Sequence, residues 1–546
     1  MPVRTCVAPD GNFVYGIHRP HYHVDNLREN SAIQTLGQFP DGSLHVNSDN
    51  FPKHDIHVQH ADVIYEIPNA FPFKGTTFIQ KRWADKKKST RAEITLKASP
   101  CFSWTQTLLK WAGQMEIDSE KMDNLWNHLP EAIQLTIAST SSDKNDLIHL
   151  AQQVCDFVYD HSFQPSGLKY QCDKNGRAYP VIHHPIIFET LVNNPYLPDI
   201  YKEAMVLRPG VQGNSPIVGE FFKQDSHVFE YLRANSYIPW GHYAANMAND
   251  AIRYDIQSLN IDDMIGMRHL FYQRIYVHLA HQLGISINPH QNTLSSDALE
   301  TLRKTIQRQL KQSPECLAFD SNLWGWNFGF GYAPNHYRLH ASHQQIHQQY
   351  AMIPKKVPTD SKNSSSISSY ACGDLVADFI EQFYQETGTS FFDAYIQAIQ
   401  TNKRMDDHNK GPHELIIYSD EQIMIFVPKA QTSQWEIQIM PLLPVGNILD
   451  ADENMRHALD RALYITAKIL AALNAQLVTH IEYASRFSAM PTDQRLIIAF
   501  LPRMPESPGA FSEAQLRWIN GHYPEDFAAA CRSRLPEILE TLSPSI

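Results

Sequence analysis

The densest chemistry in this 546-residue chain lies between Asn327 and Pro354. The stretch holds His336, His340, His343 and His347, together with Ser342, Gln345 and Gln349. The histidine spacings of four, three and four fit one face of a helix, which can bind a metal. They also fit a strand, on which only alternate residues share a face. The end of the segment, Gln345 to Ile353, favours the strand. Ile346, Tyr350 and Met352 then point one way and His347 and Gln349 the other, with Pro354 closing the run. A neutral imidazole nitrogen can attack phosphorus and carry the group covalently. The Gln349 amide beside it can hold a non-bridging oxygen. Gly329 and Gly331 offer backbone donors, and Ser342 a hydroxyl, for further phosphate oxygens.

Elements able to position such a site are present on both sides of it. Upstream, Ile261 to Leu283 is a long amphipathic segment. Asp262 and Asp263 stand at its start, where the helix dipole favours negative charge, and Gly284 ends it as a C-cap. Before it, Tyr237 to Asn246 reads as a turn entering a buried strand. Residues 359–370 are serine-rich and read as a linker or mobile loop, followed by helical pieces Leu375–Thr387 and Phe391–Ile399. A second block follows at 412–504. Ile423–Pro428, Trp435–Pro441 and Arg495–Leu501 read as strands, and Asp452–Leu473 as a helix with Glu453 in its first turn. Both blocks share the order strand, turn, strand, long helix, later strand, which suggests two copies of one α+β unit. In the first 160 residues, Asp62–Ile67 and Ala92–Lys97 read as strands, and Trp104–Ala112 and Leu147–Val158 as helices. Ser512–Leu542 reads as a helical tail.

Composition narrows the function classes. Hydrophobic residues make up 43% of the chain and aromatic ones 11%, enough for a globular protein of several units. The net charge of −12 argues against a general nucleic-acid binder. The basic run Lys81, Arg82, Lys86, Lys87, Lys88 and Arg91 is short and reads as a solvated loop. The seven cysteines never fall in a CxxC spacing, which argues against a disulfide framework and a cysteine zinc site. The N-terminus lacks the layout of a signal peptide, and no apolar run is long enough for a membrane helix. The expectation is a cytoplasmic protein with no membrane partner, and a homodimer is left open.

The stretch Ala341 to Gln349 resembles the active-site segment of the galactose-1-phosphate uridylyltransferase and diadenosine-tetraphosphate phosphorylase branch of the histidine-triad superfamily. That branch has Ser, two residues, then His-x-His-x-Gln. Ser342, His347 and Gln349 fall on its Ser, second His and Gln. Asn327-x-Gly329 is similar to the Asn-x-Gly that precedes it. Asn235 to His242, with Pro239-Trp-Gly-His, resembles the turn that grips the nucleoside. Ile425 to Pro441 is similar to the second half of the uridylyltransferase. The resemblance covers roughly 180–355 and 412–504.

The resemblance implies an α+β fold of two histidine-triad-like half-domains, each an antiparallel sheet with packed helices. With an N-terminal α/β extension and a helical tail, the divisions are 1–160, 161–358, 359–411, 412–505 and 506–546. It implies a nucleotidyltransferase or phosphorylase acting on a dinucleotide or nucleotide sugar, with His347 as nucleophile and Gln349 at its side. Ser342, Gln345, Asn235, Asn327 and Gly329 are the implied nucleotide contacts. No cofactor is implied. Gln345 replaces the first His of the motif, which in the uridylyltransferase helps hold a zinc. Its cysteine partners are also missing, so no metal is expected. Gln345 also keeps a non-catalytic nucleotide binder open, and hydrolysis of nucleotide conjugates is the other alternative. Lys429 reads as solvated and Trp435-Glu436 as core strand. Arg208 and Lys223 flank a Gly/Pro-rich turn able to cradle an anion.

Overall fold

The protein is described by a computed structural model covering residues 4–19, 21–22, 34–46, 56–57, 62–97, 100–115, 125–126, 128–172, 174, 178–192, 194, 196–206, 256, 259–288, 294–313, 316–329, 346–359, 365–406, 411–489, 492–503 and 509–542. The principal elements begin with strands β1 (Gly16–His18), β2 (Ile64–Pro68) and β3 (Thr76–Gln80) and helix α1 (Lys81–Ser89). Helices α2 (Trp104–Met115), α3 (Glu131–Thr140), α4 (Lys144–Val154), α5 (Pro185–Val192) and α6 (Asp199–Val206) follow. Then come α7 (Ile261–Gln282), α8 (Ser296–Gln312), β4 (Phe319–Gly329), β5 (Ile346–Pro354), α9 (Cys372–Thr387) and α10 (Phe391–Gln400). The chain continues through β6 (Ile416–Ser419), β7 (Ile423–Phe426), β8 (Ile437–Pro441), α11 (Glu453–Ala472), β9 (Leu477–Tyr483) and β10 (Ile497–Arg503). It closes with β11 (Arg517–Asn520), α12 (Pro524–Arg532) and α13 (Leu535–Glu540).

An antiparallel seven-stranded sheet in the order β5-β4-β9-β10-β8-β7-β6 organises the fold. The strands of both sequence blocks therefore lie in one layer, joined where β4 pairs with β9. Alternation assigns the two faces. Trp324, Trp326, Val478, Ile498, Phe500, Ile437, Ile439, Ile423 and Ile425 enter one core with α7, α8 and α11. Ile497, Met440, Met424 and Phe426 enter a second core on the opposite face, with α9, α10 and strands β2 and β3. A sheet buried on both faces reads as continuous hydrophobic runs. That is why β7, Ile-Met-Ile-Phe, is apolar and buried throughout, and why β8 is buried at every position although Gln438 interrupts its apolar run.

The long helices start and stop where local chemistry dictates. Asn260 caps α7 by accepting from the Asp263 amide at 2.8 Å, and Asp263 accepts from the Asn260 amide at 3.1 Å, a reciprocal capping box. Gly284 terminates it with φ of +67°, a conformation glycine adopts at no steric cost. Asp452 caps α11 through the Met455 amide at 2.9 Å.

Between these helices and the sheet lies a buried charge cluster. The Arg268 side chain, from α7, is fully buried. Its guanidinium donates to Asp460 of α11 at 3.3 Å and to Glu482 of β9 at 3.4 Å, and lies 4.4 Å from the Trp324 ring centroid. The Tyr272 hydroxyl donates to Asp460 at 2.6 Å, and the Asn322 amide to Glu482 at 3.2 Å. Burial pushes the Asp460 carboxyl up to about 6, with Arg268 and Tyr272 opposing it. Burial raises Glu482 too, again against Arg268. One cation thus serves two carboxylates, and loss of a partner from such a buried set costs about 3–5 kcal/mol because a charge is left uncompensated. His480, among Trp324, Trp326 and Phe500, is kept neutral by burial, with Arg268 adding to the effect.

Residues outside the two blocks divide by the core they join. Strands β2 and β3 pair with β1 and, in parallel, with β11, and share the second core with the central sheet. Buried ion pairs fasten this part: Lys74 to Glu436 at 2.6 Å and Lys429 to Glu525 at 2.6 Å. Helices α2 to α6, by contrast, enclose a separate core that includes Leu108, Leu147, Leu150, Phe188 and Met205. All seven cysteines are free thiols. Among the described residues no helix is long and apolar enough to cross a membrane.

Several local expectations are corrected. The basic run is helix α1, whose Ala84 is buried and whose Lys88 pairs with Asp406 at 2.9 Å. Ala92–Lys97 is not a strand; a 3-10 turn at Arg91–Glu93 precedes Ile94, which plugs the first core. The tail is not helical throughout, since Arg517–Asn520 pairs with β3 and Trp518 donates to the Lys74 carbonyl at 2.7 Å. Ser366–Ser368 of the serine-rich segment pairs antiparallel with Lys356–Pro358, just before that segment.

Two outcomes follow from this packing. A β-carbon at Gly373, in the first turn of α9, would lie 1.7 Å from the Ala484 carbonyl oxygen. Backbone must move to admit it, so Gly373→Ala should cost about 1–3 kcal/mol and lower the melting temperature. An unchanged melt would show that α9 does not dock so closely. The second concerns Asp460. A carboxyl whose folded pKa exceeds its unfolded value retains a proton that the unfolded chain releases. Its contribution to stability therefore falls as pH rises from near 3.8 to about 6. Thermal melts across that range should show the stability difference moving in favour of Asp460→Asn as pH rises, and a constant difference would refute the assignment.

Candidate active site

The site is built on β4 and β5, and its geometry comes from pairing register. Asn327 lies directly opposite His347, and Gly325 opposite Gln349. On the other side of β4, Asn327 pairs with Thr479 and Gly325 with Ile481 of β9, which in turn pair with Leu501 and Ala499 of β10. Positions 347, 327, 479 and 501 thus form one row across four adjacent strands. Directly paired residues in an antiparallel sheet share a face. This row occupies the face opposite to Trp324 and Trp326.

The strands are held in this register from behind. Trp324 and Trp326 are both 1% exposed. The Trp324 ring packs 5.8 Å from Phe271 of α7, and Tyr350 of β5 lies 5.6 Å from the same ring with Arg274 over it. Tyr350 and Met352 pack against the helix-side core. A one-residue slip of β5 would carry both onto the other face, so burial of the even positions fixes where the odd ones stand. Of the two readings of the histidine run, the strand holds from Ile346 to Pro354.

The front face of the row differs from the rest of the sheet. Thr479, Ile481 and Leu501 are half-buried and Arg503 is exposed, whereas Met424, Phe426 and Met440 on the same face are buried under α9 and α10. Of the row of positions 347, 327 and 479, Thr479 is half-buried. Among the described residues no group of three or more His, Cys, Asp or Glu is placed to hold a metal ion.

The remaining expected residues fall as follows. Gly329 ends β4, one row along from Asn327. Asn235, His242, Ser342, Gln345, Arg208 and Lys223 lie outside the described residues, as do His336, His340 and His343. Lys429 is neither solvated nor free for a phosphate. It is buried, with Asn402, the Lys403 carbonyl and Glu525 as acceptors. Trp435 and Glu436 are core residues, the latter bonded to Lys74 and Thr432. Thr479 and Arg503 escaped the sequence reading. Each is an ordinary strand residue until the pairing of β9 and β10 with β4 aligns it with His347.

No protein-family model and no curated protein matches the chain. Among solved structures it is similar to a GalT-like protein from Arabidopsis thaliana, at 17% identity over 44% of this chain and 69% of that one, with a TM-score of 0.29. An ADP-glucose phosphorylase from the same plant, solved with bound ADP-glucose, matches at 15% identity over 44% and 67%, with a TM-score of 0.30. A uridylyltransferase matches at 11% identity over 45% and 69%, with a TM-score of 0.31.

Proposed function

We propose that the chain is a nucleotidyltransferase or phosphorylase that works through a covalent nucleotidyl-histidine on His347. The observation that carries this reading is the register of β4 and β5, which sets Asn327 opposite His347 and brings an Asn-x-Gly strand beside a His-x-Gln strand. Two motif pieces separated by twenty residues in sequence are neighbours across one pair of strands.

In this mechanism an imidazole nitrogen of His347 attacks the α-phosphorus of a dinucleotide or nucleotide sugar. The P–N bond forms as the P–O bond to the leaving group breaks, and the leaving phosphate takes the electron pair. A second phosphate then attacks the same phosphorus, the P–N bond breaks, and the imidazole is regenerated. Gln349 and Asn327 are assigned to the non-bridging oxygens, where fixed amide dipoles stabilise developing charge. Ser342, Gln345, Gly329 and Asn235 are assigned to the phosphate and nucleoside. The same reading treats β4, β5 and α7 as one histidine-triad-like half (161–358) and β6 to β10 with α11 as the other (412–505). The unit 1–160, the linker 359–411 and the tail 506–546 complete the chain.

Incubation with ATP, diadenosine tetraphosphate, UDP-sugars and GDP-sugars, read by intact mass, tests the proposal. The wild type should gain one nucleotidyl mass and His347→Gly none, with turnover falling by at least about three orders of magnitude. Adduct discharge that requires added phosphate identifies a phosphorylase, and discharge in its absence identifies a hydrolase on the same scaffold. Nucleotide-dependent thermal stabilisation without adduct or product from any substrate would reject catalysis in favour of binding alone.

A further inference from the structure

We infer that Arg503 is a specificity residue for an anionic group at the far end of the substrate, the end that leaves when His347 attacks. The inference rests on the nucleotidyl-transfer reading and deepens it by naming the residue that reads the number of phosphates in the substrate.

Arg503 is the last residue of β10 and pairs directly with Leu477, which pairs with Gly329 of β4. It therefore stands on the same sheet face as His347 and Asn327, in the row next to theirs. Strands are spaced about 4.8 Å apart, so three strand spacings place Arg503 about 14–16 Å from His347 along the sheet. That is too far to reach the attacked phosphorus. It suits the distal end of a chain of phosphates lying over the row, with the extended arginine closing the gap. Thr479 lies between them in the row of His347.

The chemistry of Arg503 fits this role. Its guanidinium is always charged and presents a planar fork of donors that matches phosphate oxygens in pairs. Most arginines of the central sheet and its helices are spent on protein carboxylates or carbonyls: Arg268 on Asp460 and Glu482, Arg486 on Asp320 and Asp374, Arg456 on Glu300. Among the described residues, neither the Arg503 nor the Thr479 side chain has a hydrogen-bond or ion-pair partner, and Arg503 is exposed. A chain of net charge −12 repels polyanions at long range, so a polyphosphate substrate needs such a local cation, whereas a neutral hexose does not.

The test is calorimetric titration of the full chain with mononucleotides (AMP, UMP) and the corresponding nucleoside tetraphosphates, for wild type, Arg503→Gln and Arg503→Lys. The wild type should bind the tetraphosphate more tightly than the monophosphate. Arg503→Gln should weaken tetraphosphate binding about ten-fold and leave monophosphate binding within about two-fold, with Arg503→Lys recovering part of the loss. Equal weakening for both lengths, or no change for either, would overturn the inference, as would a wild type indifferent to phosphate number. The histidine adduct is scored separately. An adduct that forms while Arg503→Gln changes nothing removes this inference and leaves the transfer reading intact. A length-selective loss without any adduct leaves Arg503 as a contact for the distal phosphates and removes the transfer reading, and with it the assignment of that end as the leaving one.

Discussion

Arg268 is a full positive charge buried between two helices and a sheet, and the rest of the fold is arranged around keeping it there. Its partners come from different parts of the chain: Asp460 from α11, Glu482 from β9 and Tyr272 from its own helix. A buried ion set of this kind adds little net stability over a hydrophobic one, but an incomplete set is strongly unfavourable. The set is therefore complete only when α7, α11 and β9 meet in one geometry. Trp324 lies over the guanidinium, so the strand that carries Asn327 is fastened to the same point.

From this anchor the site follows by alternation. With Trp324 and Trp326 held inward, the odd positions of β4 stand on the opposite face. Pairing then carries that assignment to His347 and Gln349 on one side and to Thr479, Leu501 and Arg503 on the other. The helix-side core supplies rigidity and the front face supplies polarity. At β6 to β8 the front face is closed by α9, α10 and the N-terminal strands, whereas at β9 and β10 Thr479, Ile481 and Leu501 are half-buried. Under the proposed nucleotidyl-transfer reading, a sheet backed by aromatic packing holds β5 in place without a rearrangement of that strand.

The sequence carried the local features well where chemistry is local. The first-turn acids and terminal glycine of α7, the first-turn Glu453 of α11 and strands β2, β7, β8 and β10 were all legible, whereas the caps Asn260 and Asp452 were not. So was the strand character of Ile346–Pro354, because Tyr350 and Met352 need burial on one side. What stayed hidden depends on partners distant in the chain. Lys429 looked like a surface lysine because its counter-ion, Glu525, lies 96 residues away. Arg517–Asn520 looked helical because the strand it pairs with is at the other end of the protein. Arg268, Asp460 and Glu482 give no pattern at all in sequence, and the single sheet shared by both blocks exists only through the β4–β9 pairing. Of the candidate site, the pairing register relates Asn327, Gly329, His347 and Gln349, while Ser342, Gln345 and Asn235 lie outside the described residues.

Positions 327 and 347 face each other across β4 and β5, and the site depends on that register. Oxidative cross-linking of an Asn327→Cys, His347→Cys double variant, mapped by peptide mass, tests it directly, because opposed residues of paired strands lie within disulfide reach. A 327–347 disulfide is expected in the folded protein, and none between 327 and 348 in the matched Asn327→Cys, Gln348→Cys variant. A 327–348 link, or no link in either, would contradict the register on which the site is built.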